Sequence, residues 1–283
     1  MENITADTQL FCVLGNPVSH SKSPLVHNRA FADNGINAVY LAFAPQDIGQ
    51  AVEAIRQLHI QGASITIPYK QIVMHHLDWV DDQARAIGAV NTIVNQDGRL
   101  LGYNTDSQAA ILPLTSFGIA EKNVLVIGAG GAARAAAFGI HGHKGRLTIT
   151  NRSREKGRAL AMDYDARFVP LDTINGLCFD IIINTTSMGM DPYADVLSCP
   201  AECLTPDTVV MDVVYSPLET RLIRLARKKG CTAIDGLAMF VAQAAAQFEL
   251  WTNMYPDVEK MRQTVLDHLA CQPPYHANSH TKR

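Results

Sequence analysis

A glycine-punctuated stretch in the middle of the sequence constrains the fold most: residues 123–138 read Asn-Val-Leu-Val-Ile-Gly-Ala-Gly-Gly-Ala-Ala-Arg-Ala-Ala-Ala-Phe. An apolar run that breaks on glycines and restarts as an alanine-rich segment predicts a strand, a tight turn and a helix. Gly128 allows the sharp turn, Gly130 lets the backbone approach a ligand, and Ala133 is small where the helix packs on the sheet. The free N–H groups and the positive dipole end of such a helix favour a pyrophosphate.

The residues after this stretch supply context, because glycines at a strand–helix junction can also serve only to make the turn. A second apolar run at 146–150 completes a βαβ unit. Asn151 lies 23 residues after Gly128, where such folds place the residue that meets the adenosine ribose. An acidic residue at that position would suit NAD. The region is basic instead, which favours NADP over NAD, although a basic helix start can equally be solvated surface; its cations are Arg152, Arg154, Lys156 and Arg158.

Length and composition limit the class of protein. With 283 residues, 47% of them hydrophobic, the chain can build two cores. A net charge of −3 argues against nucleic acid or an anionic membrane as the main partner. The polar start and the absence of a long apolar run lead us to expect a cytoplasmic protein. Cys199 and Cys203 are the one close cysteine pair, and without a second pair we expect no metal site.

The first hundred residues alternate strand and helix patterns and end in two apolar runs joined by Asp97-Gly98, a hairpin turn signal. This order predicts an α/β domain whose parallel strands are joined by helices and which ends in a hairpin. The predicted strands are 10–14, 38–43, 63–67, 91–94 and 99–103, and the predicted helices begin near Pro24, run from 47 to 58 and include one or two short ones within 70–87.

A helix from about Ser107 leads into the glycine-rich segment, and apolar runs at 179–184 and 208–214 predict buried strands of a doubly wound, Rossmann-type parallel sheet. Two late helices, 237–253 and 257–270, are expected to fold back on the first domain. We therefore expect two α/β domains, 1–106 plus 237–271 and 107–236, with a cleft between them. Residues 272–283 have no apolar period and are expected to form a loose tail.

Polar residues near predicted strand ends are candidates for chemistry. Ser23 suits the N-cap of the first helix and Pro24 its first turn, and the hydroxyls of Ser21 and Ser23 beside a helix N-terminus would also seat a carboxylate. Lys70 follows a strand at the edge of the sheet where ligands bind, although lysines are usually solvated. Asp106 stands at the hinge between the predicted domains, where it can also simply cap a helix.

Taken together, the motifs resemble the shikimate dehydrogenase family nearly from end to end. The matching segments are Gly15-Asn-Pro-Val-Ser-His-Ser-Lys-Ser-Pro24, Ile67-Pro-Tyr-Lys70, Gly88-Ala-Val-Asn-Thr92, Gly102-Tyr-Asn-Thr-Asp106, Gly128-Ala-Gly-Gly-Ala132, Asn151-Arg-Ser153, Asn184-Thr-Thr-Ser-Met-Gly189, Asp212-Val-Val-Tyr-Ser-Pro217 and Asp235-Gly-Leu-Ala-Met239 with Gln243.

The resemblance implies an NADP-dependent enzyme of aromatic amino acid biosynthesis that interconverts 3-dehydroshikimate and shikimate, acting as a monomer or homodimer on a small molecule. It implies that Lys70 and Asp106 form the acid/base pair, since a lysine can release a proton where an arginine cannot. Shikimate would be surrounded by these two with Ser21, Ser23, Thr66, Asn91, Tyr215 and Gln243. NADP would be lined by Gly128, Ala129, Gly130, Gly131, Ala132, Asn151, Arg152, Ser153, Lys156, Val213 and Gly236.

Four positions depart from the family pattern and keep two alternatives open. Ser64 and Ser216 replace asparagines, and Ala238 and Asn253 replace glycines. The alternatives are a quinate/shikimate dehydrogenase of broader substrate and cofactor use, and a catalytically weak NADP-binding paralogue. If the substrate depends partly on the missing amide at Ser64, shikimate binds more weakly here and Ser64→Asn recovers part of the loss; if neighbouring side chains have adjusted, the added bulk clashes.

Overall fold

The computed structural model of the chain describes residues 4–271, and within this range the strands form two six-stranded sheets. The segment 272–283, for which a loose tail is predicted, lies outside the described residues. Between residues 4 and 271, none of the helices combines the length and the apolar character that crossing a bilayer requires.

The first sheet is built by the N-terminal third of the chain. Its strands are β1 (Gln9–Leu14), β2 (Ala38–Phe43), β3 (Gly62–Ile65), β4 (Trp79–Val80), β5 (Thr92–Gln96) and β6 (Arg99–Tyr103), in the order β2-β1-β3-β5-β6-β4. β1 pairs in parallel with β2 and β3, whereas β5 is antiparallel to both β3 and β6. The predicted hairpin is confirmed, since Asp97 and Gly98 both have positive φ (52° and 88°), as a two-residue type I′ turn requires.

Two helices of this region begin at side-chain caps. Asp47 caps α2 (Ile48–Gln57) and Asp81 caps α3 (Asp82–Ile87), and a 3₁₀ helix spans Ile72–His76. The predicted cap of α1 (Ser23–Asp33) is wrong by one position, because the N-cap is Lys22 and Ser23 is already helical. The hydroxyl of Ser21 accepts from the N–H of Ser23 at 3.3 Å and so satisfies one of the free N–H groups in the first turn of α1.

The second sheet contains the glycine-rich stretch. The chain enters it through α4 (Asp106–Ile111) and forms β7 (Asn123–Ile127), α5 (Gly131–Gly142), β8 (Arg146–Thr150), α6 (Arg154–Asp163), β9 (Arg167–Phe168), β10 (Ile181–Asn184), β11 (Val209–Asp212), α7 (Arg221–Lys228) and β12 (Thr232–Ile234). All pairs are parallel, in the order β12-β11-β10-β7-β8-β9. The strand order reverses at β7, and in open parallel sheets ligands bind at the carboxyl ends of the strands beside such a reversal.

The last two helices, α8 (Leu237–Thr252) and α9 (Val258–Ala270), return to the first sheet as predicted. Phe248 of α8 is fully buried in one core cluster with residues of β1, α1 and β2. The indole N–H of Trp251 donates to the carbonyl of Ile93 at 2.9 Å, which ties α8 to β5. Asn253 ends α8 with φ 55° and ψ 25°, a left-handed conformation that asparagine tolerates nearly as well as the glycine it replaces.

Candidate active site

Lys70 and Asp106 form an ion pair at the carboxyl end of the first sheet. Lys70 follows β3, and Asp106 is the first residue of α4. The Nζ atom of Lys70 lies 2.5 Å from Oδ2 of Asp106, and the Asp106 side chain is 5% exposed against 16% for Lys70. The carbonyl of Lys70 accepts from the N–H of Val90 at 2.7 Å, which fixes its backbone. The ammonium group is therefore held by a buried carboxylate and keeps one side open.

Asn91 holds the other oxygen of that carboxylate. Its Nδ2 donates to Oδ1 of Asp106 at 2.8 Å and to Oγ1 of Thr105 at 2.9 Å, while its Oδ1 accepts from the N–H of Thr105 at 2.8 Å. Asn104, which precedes the N-cap residue Thr105, accepts from the N–H of Asp106 at 3.0 Å through its Oδ1. Both carboxylate oxygens of Asp106 are thus engaged, and its orientation is fixed without any ligand.

Ser21, Ser23 and Tyr215 meet at the start of α1. The phenol oxygen of Tyr215 accepts from the N–H of Lys22 at 3.5 Å, and its ring stacks on Phe240 with centroids 4.2 Å apart. Burial raises the pKa of Tyr215, and the Lys22 N–H and the Ser21 hydroxyl oppose that shift. The Ser21 hydroxyl, the N-terminus of α1 and the Tyr215 phenol therefore lie together, which suits a small carboxylate, whereas the buried Ser23 side chain interacts with Tyr40.

Thr66 and Gln243 approach the same end of the sheet. A Cβ atom added at Gly15 would lie 2.2 Å from Cγ2 of Thr66, so the loop after β1 passes directly over Thr66. The carbonyl of Gln243 accepts from Oγ1 of Thr105 at 3.1 Å, and its Nε2 donates to the carbonyl of Phe240 at 2.9 Å. α8 thereby places Gln243 against the loop that carries Asp106.

The glycine loop after β7 lies against Lys70. Gly128 has φ 124°, a value suited to glycine, and a Cβ atom there would lie 2.5 Å from Oγ1 of Thr185. Nothing lies within 4 Å of a Cβ atom built on Gly130, so the loop is open above this residue. A Cβ atom at Gly131 would lie 2.8 Å from Cδ of Lys70. The N-terminus of α5 and the ammonium group therefore border one space.

An open pocket of about 350 Å³ lies beyond the end of β8. Asn151 stabilises the loop that lines this pocket, since its Nδ2 donates to the carbonyl of Ser153 at 2.9 Å. Ser153 caps α6 by accepting from the N–H of Lys156 at 3.4 Å. The pocket is lined by Asn151, Arg152, Arg154, Leu171 and Asp172.

The basic residues around this pocket have different partners. Arg154 pairs with Asp172 at 3.0 Å, and the guanidinium of Arg158 lies over the ring of Phe168, 5.7 Å from its centroid. Arg152 is exposed and lines the pocket. Arg152 is therefore the most suitable of these three arginines for reading a 2′-phosphate.

Asp212, at the end of β11, joins two loops beside the glycine loop. Its Oδ1 accepts from Nδ2 of Asn184 at 2.9 Å and from the N–H of Val214 at 3.1 Å, and its Oδ2 accepts from Oγ1 of Thr220 at 2.7 Å. The side chain is fully buried, and burial raises its pKa to about 6 although the three hydrogen bonds favour the charged form. The carboxylate thus anchors the 213–217 segment to β10.

Val213 and Gly236 are adjacent through their backbones. The N–H of Val213 donates to the carbonyl of Asn184 at 2.9 Å, and a Cβ atom at Gly236 would lie 2.5 Å from the Val213 carbonyl oxygen. Only a glycine fits so close to that carbonyl. The start of α8 therefore packs directly against the loop after β11.

Gln247 is a polar residue behind the site that the sequence did not identify. It is 1% exposed and hydrogen-bonds through Nε2 to the carbonyl of Asn91 and to Oγ1 of Thr92, both at 3.0 Å. The sequence does contain a signal for it. Gln247 follows Phe240 by seven residues and Ala244 by three, so it is a polar residue on the apolar face of α8.

The structure accounts for part of the departures from the family pattern. The hydroxyl of Ser64 accepts from the phenol of Tyr40 at 2.6 Å and donates to Oε1 of Gln247 at 2.7 Å, so both of its hydrogen-bonding roles are used inside the protein. Ala238 is exposed in the first turn of α8 and takes a side chain without conflict. Nothing in the structure explains Ser216.

Metal ligation finds no support within residues 4–271, where no group of three or more His, Cys, Asp or Glu side chains could hold a metal ion. Cys199 and Cys203 are buried, and burial raises the pKa of both thiols, that of Cys199 to about 12. Thiols in this environment stay protonated, whereas a metal requires the thiolate.

Three family models match successive parts of the chain. The shikimate dehydrogenase substrate binding domain matches residues 13–93, the shikimate / quinate 5-dehydrogenase model matches 112–190, and the shikimate 5′-dehydrogenase C-terminal domain matches 236–266. Together they cover the first sheet from the end of β1 to the start of β5, the glycine loop with β10, and α8 with most of α9.

Similar proteins match over nearly their whole length. The shikimate dehydrogenase (NADP(+)) of Pyrococcus abyssi is 40% identical over 264 residues, which cover 92% of this chain and 98% of that protein. A crystal structure of a shikimate dehydrogenase with NADP+ superposes with a TM-score of 0.88 at 40% identity, over 94% of this chain and 98% of that one. The enzyme of Thermus thermophilus with NADP(H) and shikimate gives a TM-score of 0.84 at 35% identity, over 92% and 99%.

Proposed function

The chain belongs to the shikimate dehydrogenase family, and we propose that it interconverts 3-dehydroshikimate and shikimate with NADP, a step on the route to the aromatic amino acids. The observation that carries this proposal is the contact between Lys70, paired with Asp106, and Gly131 of the glycine loop. A proton donor and a cofactor loop that border one space are what reduction of a ketone requires, because carbon receives a hydride while oxygen receives a proton.

Lys70 would stabilise the negative charge that develops on the ketone oxygen and then give it a proton. NADPH, when bound, would supply the hydride. Asp106 keeps the ammonium group in place through Oδ2, while Asn91 holds Oδ1 and prevents the carboxylate from rotating. In the direction of shikimate oxidation Lys70 takes up the proton from the substrate hydroxyl.

The substrate would lie between α1, the end of β3 and α8. Ser21, Ser23 and Tyr215 surround the start of α1 and would bind the ring carboxylate through hydroxyl groups and helix N–H groups. Thr66, Asn91 and Gln243 border the same space from the other side and would bind ring hydroxyls.

The cofactor would lie over the second sheet. The open loop at Gly128–Ala132 and the N-terminus of α5 suit a pyrophosphate. Asn151, Arg152, Ser153 and Lys156 would bind the phosphorylated ribose, with Val213 and Gly236 beside the nicotinamide. The residues present therefore fit NADP.

These roles divide the chain into a substrate-binding part, 1–106 plus 237–271, and an NADP-binding part, 107–236. The shared core of α8, α9 and the first sheet supports this division, since it joins the C-terminal helices to the N-terminal strands. The monomeric or homodimeric state, the cytoplasmic location and the lack of a nucleic acid partner stay predictions.

Initial rates measured with four pairs, shikimate or quinate with NADP+ or NAD+, test the function. We expect kcat/KM to be highest for shikimate with NADP+. A higher value for quinate or for NAD+ would favour the quinate/shikimate dehydrogenase. Turnover with none of the four, despite NADP+ binding in a titration, would favour the catalytically weak paralogue.

A further inference from the structure

A continuous chain of buried hydrogen bonds runs from the core of the first sheet to the ion pair of the site. The phenol of Tyr40 donates to Oγ of Ser64 at 2.6 Å, and Ser64 donates to Oε1 of Gln247 at 2.7 Å. Nε2 of Gln247 donates to Oγ1 of Thr92 at 3.0 Å, and Thr92 donates to Oδ1 of Asn91 at 2.8 Å. Asn91 then donates to Asp106, and each of these six side chains belongs to a residue at most 6% exposed.

The direction of each hydrogen bond near Gln247 is fixed by groups that can only donate or only accept. The backbone carbonyl of Asn91 can only accept, so the amide of Gln247 must turn its Nε2 toward it. Oε1 of Gln247 is left to accept from Ser64, which in turn must accept from Tyr40. Burial raises the pKa of Tyr40 well above its usual value, so this phenol keeps its proton.

The same logic fixes Asn91. Because Oγ1 of Thr92 accepts from Gln247, its own proton goes to Oδ1 of Asn91, which also accepts from the backbone N–H of Thr105 at 2.8 Å. Nδ2 of Asn91 must then face Asp106. The opposite orientation would place an amide oxygen against the carboxylate, an acceptor against an acceptor, and would leave the oxygen of Asp106 that is turned away from Lys70 without its donor.

We propose that Gln247 is a positioning residue, which holds Asn91 through its carbonyl and through Thr92. Together with the Thr105 N–H it keeps the Asn91 amide turned toward the carboxylate of Asp106 that holds Lys70. Ser64 serves this chain as the anchor of Gln247 instead of contacting the substrate, and Tyr40 supplies the donor that makes Ser64 donate in turn. The proposal rests on the proposed function, because it gives Lys70 and Asp106 the roles stated above.

The first test replaces Gln247 with methionine in the full-length protein, which keeps the length of the side chain and removes its hydrogen bonds. We expect kcat with shikimate to fall by about 10- to 100-fold, the effect of misplacing a catalytic group by about 1 Å. The KM for NADP+ should not change, because Gln247 contacts the first sheet. The matched control is Phe248→Leu, the next buried residue of α8, which should lower the melting temperature and leave kcat unchanged.

A conservative replacement separates positioning from support of the fold. In Gln247→Glu a protonated carboxyl can still donate once and accept once, whereas the ionised group can only accept. The ratio of its kcat to that of the wild type should therefore rise as pH falls, while Gln247→Met gives a constant ratio. In the wild type the titratable groups next to Gln247 and Ser64 are neutral, because burial lowers the pKa of His27 to about 3, raises that of Cys12 to about 12 and raises that of Tyr40.

A double-mutant cycle between Ser64→Ala and Gln247→Met tests the role of Ser64. If Ser64 acts through Gln247, Ser64→Ala lowers kcat in the wild-type background and has no further effect beside Gln247→Met. Additive effects, a kcat of Gln247→Met within twofold of the wild type, or a Gln247→Glu ratio that is constant with pH would each overturn the proposal. All comparisons are ratios to the wild type on its best substrate, so a failure of the proposed function shows separately, in the wild-type rates.

Discussion

Replacing Asp212 with asparagine should stabilise the protein at neutral pH and leave its stability in acid nearly unchanged. The carboxylate is fully buried and its folded pKa is raised to about 6, above the usual 3.8. A raised folded pKa means that the contribution of this group to stability is fully present below pH 3.8 and is lost as pH rises through 6. The interval of about two units, at about 1.36 kcal/mol each, amounts to about 3 kcal/mol.

Asparagine has nearly the same shape and does not ionise, so the variant avoids that loss. Its amide oxygen can keep the hydrogen bonds from Asn184 and Val214, and its NH₂ group can donate to Thr220, whose hydroxyl then acts as acceptor. We therefore expect the free energy of unfolding of Asp212→Asn, relative to the wild type, to increase by about 2.4 kcal/mol between pH 4 and pH 7.5, since a small part of the roughly 3 kcal/mol is already lost at pH 4.

Urea unfolding followed by circular dichroism at five pH values measures this difference. Met211→Leu, on the same strand, is the control, because it changes no titratable group and should differ from the wild type by a constant amount. If the difference between Asp212→Asn and the wild type stays constant from pH 4 to pH 7.5, ionisation of Asp212 does not lower the free energy of unfolding and the argument is refuted.

Arg152→Asp should shift the ratio of kcat/KM values from NADP+ toward NAD+, because it removes the guanidinium at the pocket and supplies a carboxylate for a ribose hydroxyl; an unchanged ratio would show that another residue reads the phosphate. His27→Phe should reduce the loss of stability in acid. Burial lowers the pKa of His27 to about 3, so in the wild type this residue lowers the free energy of unfolding as pH drops below 6.5, by about 3 kcal/mol at pH 4. Calorimetry of the variant and the wild type at pH 7 and pH 4 measures the difference. Ser64→Asn should lower kcat/KM for shikimate, because the hydroxyl already bonds on both sides and a longer amide displaces Gln247; a gain of two- to tenfold, roughly the value of one added hydrogen bond, would show that the site lacks an amide there.

The sequence predicts best those elements in which the hydrophobic pattern, the turn residues and the helix or strand propensity all favour the same structure. The β7–α5–β8 unit combines buried apolar strands, a glycine turn and a helix rich in alanine, and tertiary contacts change none of these preferences. β4, β9 and β12 were missed because strands of two or three residues have no measurable period and form only where a longer neighbour offers its edge.

The residues of the site also fall into those that the sequence identifies and those that only the structure identifies. Lys70 and Asp106 lie in segments with a family resemblance, and the resemblance could mark them without any knowledge of distances. Gln247 bonds to Asn91 across 156 residues of sequence, and only the packing of α8 on the first sheet brings the two together. Asp212 stood inside a matching motif, yet its burial and its three donors, which decide its charge, depend on loops that local sequence does not fix.

The rate of shikimate oxidation by a folded Lys70→Ala variant tests directly whether Lys70 transfers the proton. We expect kcat to fall by about 10²–10⁴-fold, the usual contribution of a positioned acid/base, while NADP+ binding stays close to that of the wild type. Lys70→Arg keeps the charge but cannot release a proton, so it should be slow as well. A kcat near the wild-type value in Lys70→Ala would contradict the role of Lys70 as the proton donor and acceptor.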